Sequence, residues 1–515
     1  MAIRAQGPII DLKDGKIEGK FYHTKKGVET QYFLGVPYAK PPIGNLRFQK
    51  PVPLDRWHDV KVCRKFAPRA IQKNDPFEQN GGIPDSENCL YLNIFGPQNA
   101  SNNKKLYPVI MFIHGGSCVN GSPVAYGDTN ICETLCSQGA VVVTVQYRLG
   151  FLGLLYLDDE TTPTPNLCMW DLKAALEWIH ENIENFHGDK DNVTVMGHSS
   201  GSALVEFLCL SPLTKDLIHR AILLSGNRFI IQFTKKILRE RCMQFLKSIG
   251  WEDFYETKEN HQKILDFLKG LKANDFRMNF DVDLAPVIGT EFLPYKNLKE
   301  MQEVQLNIPV LMGASQFEGL LFAYFAKSSL EDNDIKYKAL LETVSNSLGL
   351  EVNLKTKNFH KMHQYYDRLI REGQRERAII ELIGDWVVHE NVWKFLDLHS
   401  TSPNPIFLYN FEHFNEKSLV FLEGYTKVRG STHGIELAYI FGKSTHLPFE
   451  FSEDDQKVSE LFAQAIINFS TTGDPNVPRA LSCKWKHVTS SETWTCCLGS
   501  ETRMEQEYNR GKRFI

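Results

Sequence analysis

The residues whose types and spacing most clearly indicate a chemical role are the five at 197–201, which read Gly-His-Ser-Ser-Gly. The apolar run at 193–196 is typical of a buried strand, and apolar side chains recur at helical spacing over 203–208. A serine between two glycines at a strand-to-helix junction predicts a nucleophile elbow, a sharp turn that holds the hydroxyl out at the top of a sheet. Both glycines are required because a side chain there would collide with the neighbouring strand or helix. Ser199 is therefore the candidate nucleophile.

A glycine-rich turn lies upstream, at 114–117, directly after the apolar run 109–113. Its sequence, His-Gly-Gly-Ser, can aim backbone N–H groups at one point and so form an oxyanion hole, which stabilises the charge on a tetrahedral acyl intermediate. Removing one such donor typically slows a reaction by about 10²–10³-fold. The alternative interpretation is an ordinary turn that ends a strand.

An acid and a histidine follow the serine in the order that a catalytic triad of the α/β-hydrolase type requires. Glu318 comes after the apolar run 308–313, and His433 precedes the apolar stretch 435–442. Histidine can accept the proton of a serine hydroxyl because its pKa lies near neutral pH, and a buried carboxylate on its other ring nitrogen fixes the tautomer. The chain has 62 acidic residues and 16 histidines, so order alone does not prove the assignment.

The elements that must bring these residues together alternate along the chain. One amphipathic helix is clear at 169–186. Apolar runs typical of buried strands alternate with such helical patterns and lie at 107–113, 140–147, 193–196, 220–225, 308–313 and 406–409. This alternation predicts an α/β fold with a mostly parallel central sheet flanked by helices.

Domain organisation follows from the same candidates. Length alone favours several domains, because 515 residues exceed the size of an average domain. Ser199, Glu318 and His433 must nevertheless converge on one site, which predicts a single domain over residues 1–515. The stretch from about 228 to 305, between the serine and the acid, is expected to be a largely helical insertion over the active site.

Four longer motifs, spread over nearly the whole chain, carry a family resemblance. They lie at 33–48, 87–93, 147–153 and 473–476 and read FLGVPYAKPPIGNLRF, ENCLYLN, YRLGFLG and GDPN. In this order they resemble the signatures of the type-B carboxylesterase family, which includes the cholinesterases and the non-catalytic neuroligin-type adhesion proteins. The second motif differs at Asn88, where the family usually has Asp.

The resemblance implies the α/β-hydrolase fold and a serine carboxylesterase that needs no metal and no cofactor. Ser199 would be the nucleophile, His433 the general base and then the general acid, and Glu318 the carboxylate that orients the imidazole. The acyl group would pass first to Ser199 and then to water. The oxyanion hole would consist of the backbone N–H groups of Gly116, Ser117 and Ser200.

Four positions around the predicted site depart from the family's usual sequence. Ser117 replaces the third glycine of the oxyanion turn, and Cys118 replaces an aromatic residue. If position 117 needs a positive φ, its side chain costs energy and can misaim the N–H group. In the elbow, His198 and Ser200 stand where the family usually has Glu and Ala. His198 either alters the electrostatics of the serine or, in the simpler interpretation, only packs.

The resemblance also aligns Phe280, Val282 and Leu284 with the family's acyl pocket. Val282 replaces an aromatic residue of the strictest acetyl-selective members, which favours small to medium apolar esters with acyl chains longer than acetyl. Cholinesterases hold a quaternary ammonium on a tryptophan upstream of the second signature. This chain has no tryptophan between Trp57 and Trp170, so a choline ester is not the expected substrate.

Two internal ion pairs are implied by the matched motifs, Arg47 with Glu87 and Arg148 with Asp171. Breaking one partner of a buried pair typically costs about 3–5 kcal/mol. The alternative is that all four are surface charges of little energetic value.

Cysteine usage bears on the compartment. There are 11 cysteines, so they cannot all pair within the chain. Secreted members of the family share a disulfide that ends at the position of Cys89, but Ala70 stands at its partner position, and a second one would fall at Trp251 and Phe267. The loss of both favours a reducing compartment and hence a cytoplasmic protein. A rearranged Cys63–Cys89 bridge in a secreted protein is the alternative.

The remaining bounds exclude several kinds of partner. A net charge of -4 argues against electrostatic binding of nucleic acid. No segment approaches the roughly 18 apolar residues of a transmembrane span, and the first residues lack the apolar core of a signal peptide. Three functions stay open: a carboxylesterase acting on small-molecule esters, a lipase or thioesterase with the same triad, and a catalytically weak or silent binding protein.

Overall fold

The strands of the protein were located in a computed structural model, which describes residues 7–73, 81–98, 106–157, 163–230, 234–252, 258–277, 284–325 and 357–508. Within these residues the strands are β1 Ile9–Leu12, β2 Gly15–Glu18, β3 Lys20–His23, β4 Glu29–Pro37, β5 Lys61–Val62, β6 Tyr91–Pro97, β7 Tyr107–Ile113, β8 Val141–Val145, β9 Gly188–His198, β10 Arg220–Leu224, β11 Val310–Ser315, β12 Ile406–Phe411, β13 Thr495–Leu498 and β14 Arg503–Glu505.

Helices fill most of the connections between these strands. The α-helices are α1 Thr129–Thr134, α2 Gly150–Leu154, α3 Leu167–Asn182, α4 Ser200–Leu210, α5 Lys235–Ser248, α6 Lys258–Gly270, α7 Leu298–Gln302, α8 Gly319–Phe325, α9 Lys357–Arg371, α10 Arg375–Gly384, α11 Glu390–Leu398, α12 Glu436–Phe441 and α13 Glu453–Thr472. A π-helical turn at Asp385–His389 joins α10 to α11.

One large sheet organises the fold. Its strand order is β14-β13-β12-β11-β10-β9-β7-β8-β6-β4-β3, and β1, β2 and β5 form a separate small sheet. The pairs from β8 through β7, β9, β10, β11 and β12 to β13 are all parallel, whereas both edges of the sheet are antiparallel. The predicted α/β fold, with a mostly parallel sheet and flanking helices, is confirmed.

The central strands form because their sequences suit burial on both faces. The β8 segment reads Val-Val-Val-Thr-Val, and all five residues are buried. Parallel strands covered by helices on both sides have such continuous apolar runs rather than alternating ones. Each of the six apolar runs noted in the sequence coincides with one of the strands β7 to β12.

The carboxyl ends of the parallel strands gather the candidate residues. Ile113, the last residue of β7, pairs with Gly197 of β9, and Leu224 of β10 pairs with His198. Ser199 and the oxyanion turn therefore leave the same edge of the sheet, which is where open α/β sheets place their ligands. Glu318 follows the end of β11 at that edge.

The helical predictions hold with small shifts of boundary. The helix expected at 169–186 is α3, which ends at Asn182 and continues as a 3-10 helix at Ile183–Phe186. Between residues 228 and 305, the described segments contain α5, α6, α7 and short 3-10 turns, with no strand among them. That this stretch is an insertion over the active site stays a prediction, as does the single domain.

Both implied ion pairs are present and buried. Arg148 Nη2 lies 2.7 Å from Asp171 Oδ1, and Arg47 Nη2 lies 2.6 Å from Glu87 Oε1. In each pair the Nε atom also donates to the second carboxylate oxygen, which makes the contact bidentate. Arg148 links the start of α2 to α3 and also donates to the carbonyl of Gln49. The surface-charge alternative is therefore wrong.

Removing the carboxylate of the Arg148–Asp171 pair tests the role of that ion pair in the fold. Asp171→Ala leaves the guanidinium of Arg148 buried without its partner, so we expect the free energy of unfolding to fall by about 3–5 kcal/mol. Urea denaturation measures this change. The matched control is Glu460→Ala, which breaks an exposed ion pair with Lys26 and should cost about 0–1 kcal/mol. Equal losses in the two variants would contradict the structural role.

The state of the cysteines bears on the alternative Cys63–Cys89 bridge. Cys63 and Cys89 are both free thiols and both buried, so the alternative Cys63–Cys89 bridge is absent. Burial raises the pKa of the Cys63 thiol to about 12.

In the described part of the chain, no helix has the length and apolar character needed to cross a membrane.

Candidate active site

The nucleophile elbow is a strained turn between β9 and α4. Ser199 has φ 56° and ψ -128°, a conformation that residues with a side chain seldom adopt. Close packing explains the glycines on either side. A Cβ on Gly197 would lie 2.4 Å from the carbonyl oxygen of Gly201, and one on Gly201 would lie 2.3 Å from that of Ile113. The turn therefore presses the start of α4 against the end of β7.

The oxyanion turn has left-handed backbone at three successive residues. The φ angles are 109° at Gly116, 52° at Ser117 and 57° at Cys118. A Cβ on Gly116 would lie 2.1 Å from Oδ1 of Asn120, so glycine is needed there. Position 117 does adopt the positive φ that disfavours a side chain, and Ser117 therefore carries backbone strain.

The oxyanion turn lies directly against the elbow. A Cβ on Gly115 would lie 2.6 Å from the carbonyl oxygen of His198 and 2.9 Å from Cβ of Ser199. The backbone N–H of Cys118 donates to Oγ of Ser200 at 3.4 Å. The turn that contains Gly116 and Ser117 thus packs against the elbow, and the Ser200 hydroxyl adds a link between the two turns.

Ser117→Gly tests the strain in this turn. Glycine removes the left-handed penalty of about 1–2 kcal/mol, offset by its greater chain entropy, so we expect the protein to be stabilised by about 0–1 kcal/mol. Thermal or urea unfolding measures the change. The control is Ser202→Gly in α4, which also loses a 2.7 Å hydrogen bond to Gly226 and should destabilise. Destabilisation by both variants would count against strain at 117.

The predicted acid and base are hydrogen-bonded to each other. His433 Nδ1 and Glu318 Oε2 are 2.5 Å apart, and the carboxylate is fully buried. The other oxygen, Oε1, accepts the backbone N–H of Ser315 at 2.7 Å. These two contacts fix the carboxylate and hold the imidazole with its Nδ1–H toward it, which leaves Nε2 as the basic nitrogen.

Charge and burial act in opposite directions on this pair. Burial tends to raise the pKa of Glu318 and to lower the pKa of His433, because it disfavours both charged forms. The partner's charge and hydrogen bond outweigh burial, so the pKa of Glu318 lies below its ordinary value and that of His433 above 6.5. The pair therefore stabilises an imidazolium, the form that a general base takes after accepting a proton.

A second buried carboxyl group joins the network through a serine. Ser225 Oγ lies 2.6 Å from Glu318 Oε1 and 2.5 Å from Glu436 Oε1, and Ser315 Oγ lies 3.0 Å from Glu436 Oε2. A hydroxyl has one hydrogen to donate, so two carboxylates cannot both be bound by donation from Ser225. One of the carboxyl groups must carry a proton.

Glu436 is the group that holds this proton. Burial and the nearby charge of Glu318 raise its pKa to about 7. Ser225 then accepts a hydrogen bond from the Glu436 carboxyl group and donates its own hydrogen to Glu318. While Glu436 is protonated, the network thus gives Glu318 a further donor without placing a second negative charge beside it.

With this geometry in view, comparison with known proteins decides the family. A model described as the carboxylesterase family matches residues 6–513. The chain belongs to the carboxylesterase family.

Curated relatives agree with this assignment over most of their length. Esterase cest-33 of Caenorhabditis elegans is 30% identical over 495 residues, which cover 92% of this chain and 86% of that protein. Carboxylesterase 1C of Mus musculus is 30% identical, with coverage of 91% and 86%. The fatty acyl-CoA hydrolase precursor, medium chain, of Anas platyrhynchos is 27% identical, with coverage of 92% and 86%. This family member is a carboxylic-ester hydrolase, as the sequence predicts.

Several residues of this carboxylesterase's site went unnoticed in the sequence. They are Ser225, Ser315, Phe322, Glu436 and His446. Phe322 and His198 both pack on His433, with ring centroids 4.7 Å and 4.6 Å away. The one available signal was the position of Glu436, an acid in the apolar stretch that follows His433.

The predicted acyl pocket of the carboxylesterase is only partly visible. Phe280 and Val282 lie outside the described residues, and Leu284 is buried in the main apolar core. The pocket assignment therefore stays a prediction. Among the described residues, no group of three or more His, Cys, Asp or Glu side chains is arranged to hold a metal ion.

Proposed function

We propose that this carboxylesterase hydrolyses small to medium apolar esters through an acyl-enzyme on Ser199. His433 Nε2 removes the hydroxyl proton as Oγ attacks the ester carbonyl, and it then returns that proton to the leaving alcohol. A water molecule, activated by the same nitrogen, releases the acid and frees the serine. Glu318 stays ionised throughout and holds the imidazole in the reactive tautomer.

One observation carries this proposal. The buried 2.5 Å contact between His433 Nδ1 and Glu318 orients an imidazole whose neighbour His198 directly precedes the strained serine. A general base needs an oriented ring, a raised affinity for the proton and a nucleophile within the same site. The network around Glu318 supports the first two requirements.

The oxyanion turn supports the remaining part of the mechanism. Backbone N–H groups of Gly116, Ser117 and Ser200 are proposed to stabilise the negative oxygen of the tetrahedral intermediate. These donors are fixed by local backbone geometry, so they need little reorganisation during the reaction. The energy stored at Ser117 is consistent with a functional demand on this turn.

Ester size is the second part of the proposal. We expect a kcat/KM for p-nitrophenyl butyrate at least equal to that for the acetate, since Val282 replaces an aromatic residue in the predicted acyl pocket. Comparing acetate, butyrate and octanoate esters measures this preference. A steep fall in kcat/KM from the acetate to the butyrate ester would refute the roomier acyl pocket but would not count against the proposed triad.

Thioester hydrolysis is a second candidate for the same triad. It is supported by the duck relative named as a fatty acyl-CoA hydrolase, which is similar over 92% of this chain. Both reactions pass through the same acyl-enzyme, because the nucleophile attacks the same carbonyl carbon. Parallel assays with butyryl-CoA and p-nitrophenyl butyrate distinguish a thioesterase from an esterase.

Covalent trapping tests the nucleophile directly. A fluorophosphonate should add once per chain, and peptide mass spectrometry should locate the adduct on Ser199. Pre-incubation with p-nitrophenyl butyrate should slow the labelling, because ester and probe compete for one hydroxyl. Ser400, an exposed serine outside the site, is the internal control and should remain unmodified. Labelling elsewhere, or none in folded protein, would favour the silent binding protein.

We further propose that the protein resides in the cytoplasm. The free, buried thiols of Cys63 and Cys89 support this location, because an oxidising compartment favours disulfides. Fractionation of cells that produce the full chain checks the proposal. Recovery from the culture medium would favour the secreted alternative.

A further inference from the structure

The imidazole of His198 packs against that of the general base, His433. Its ring centroid is 4.6 Å from that of His433, at an interplanar angle of 42°. Its Nε2 is 3.9 Å from Glu436 Oε1, too far for a hydrogen bond, and has no hydrogen-bond partner among the described residues. Its side chain is only 9% exposed.

The other titratable groups around His433 come from several elements. Glu318 follows β11, Glu436 begins α12, and His446 follows that helix. A Cβ on Gly434 would lie 3.0 Å from Cε1 of His446 and 3.3 Å from Cε1 of His198, so the imidazoles crowd around one glycine. His389 and Tyr409 complete the set through their proximity to the buried carboxyl groups.

Most of these groups are uncharged near neutral pH. Burial lowers the pKa of His446 to about 4 and, with repulsion from His433, puts the pKa of His198 well below 6.5. Glu436 holds a proton shared with Ser225, and burial keeps the Tyr409 hydroxyl protonated. Among these described neighbours, Glu318 supplies the main negative charge beside His433, and Glu436 adds to it as it ionises around pH 7.

We propose that His198 is a positioning residue for the general base, which packs on His433 as a neutral side chain and so keeps the pH below which activity is lost lower than a carboxylate at this position would. This inference rests on the proposed serine-esterase function. The family usually has Glu at this position, and an ionised Glu would place a second negative charge beside the imidazole. His433 would then hold its proton to higher pH. With His198, hydrolysis extends to more acidic solutions.

The size of this effect follows from the short separation. A charge within about 4–6 Å typically shifts a neighbouring pKa by about 1–3 units. For His198→Glu we expect the acid limb of the kcat/KM profile to move up by about 1–2 pH units. Activity at about pH 6 should fall by about 10–100-fold and should approach the wild-type value only at a pH about one unit or more above the raised midpoint.

The experiment compares pH profiles of kcat/KM for p-nitrophenyl butyrate in the wild type, His198→Glu and His198→Gln. Glutamine keeps a neutral polar side chain, so its acid limb should coincide with that of the wild type even if its maximal rate is lower. A merely structural role would lower the rate at every pH without moving the midpoint. That result, or equal shifts in the Glu and Gln variants, would overturn the proposal.

A second measurement does not depend on turnover. The Nδ1 proton that His433 shares with Glu318 should give a downfield proton resonance, whose pH titration reports the protonation of this imidazole. The midpoint should be higher in His198→Glu than in the wild type, and equal midpoints would overturn the inference. If the wild type hydrolyses no ester while this shift is present, the proposed function fails, whereas the effect of position 198 on the protonation of His433 stands.

Discussion

Replacing Ser199 by alanine is expected to lower kcat for p-nitrophenyl butyrate by on the order of 10⁵–10⁶-fold. The substitution removes the hydroxyl that we propose forms the acyl-enzyme but leaves the glycines that shape the turn. Alanine has the same steric cost as serine at φ 56°, so the fold should be retained. The proposed oxyanion donors also remain, and a small rate above that of uncatalysed hydrolysis should persist. Initial rates at saturating ester measure the loss.

Two controls separate the loss of the nucleophile from damage to the protein. Ser400→Ala changes an exposed serine far along the chain and should keep the wild-type kcat. The thermal unfolding midpoint of Ser199→Ala should lie close to that of the wild type. A variant that keeps more than about a tenth of the wild-type kcat would contradict the proposed acyl-enzyme.

Replacing Glu318 by glutamine should lower kcat by about 10⁴-fold. The amide oxygen will occupy the Oε1 position, because Ser315 N–H and Ser225 Oγ both donate there. The amide NH₂ group must then face His433 Nδ1, which can accept a hydrogen bond only when its proton moves to Nε2. That tautomer cannot take a proton from the serine, and no carboxylate stabilises the imidazolium.

The conservative variant makes this expectation sharper. Glu318→Asp keeps the charge and should retain more activity than Glu318→Gln, although its carboxylate is one methylene shorter. Glu87→Gln is the control for losing a buried carboxylate elsewhere, since its partner Arg47 serves the scaffold. It should lower stability but leave kcat of the folded enzyme near the wild-type value. A kcat for Glu318→Gln within tenfold of the wild type would refute the role of Glu318.

Much of the fold could be predicted because its signals are local. The six apolar runs form strands since parallel, doubly covered strands need continuous burial, and β8 with its four valines is the clearest case. The residue at which α3 ends was harder to predict from the sequence. An apolar face continues through Phe186, but the helix tightens to 3-10 geometry after Asn182, and periodicity does not register that change.

The site could be predicted in part for a different reason. Serine, acid and histidine lie in motifs whose residue types are demanded by chemistry, so their order was informative. Ser225 and Glu436 carry no such pattern. Ser225 contacts both Glu318 and Glu436, which lie 93 and 211 residues further along the chain. Only packing of β10, β11 and α12 brings them within hydrogen-bonding distance.

By itself, the sequence determined the elbow, the oxyanion turn and the membership of a family. These depend on steric limits within a few residues, such as the close approach that excludes a Cβ at Gly201. Tertiary structure decided which acid orients His433, where the shared proton resides and which neutral rings surround the base. Those properties depend on burial and on distances between remote segments, because both the pKa of a group and its hydrogen bonds are set by everything packed around it.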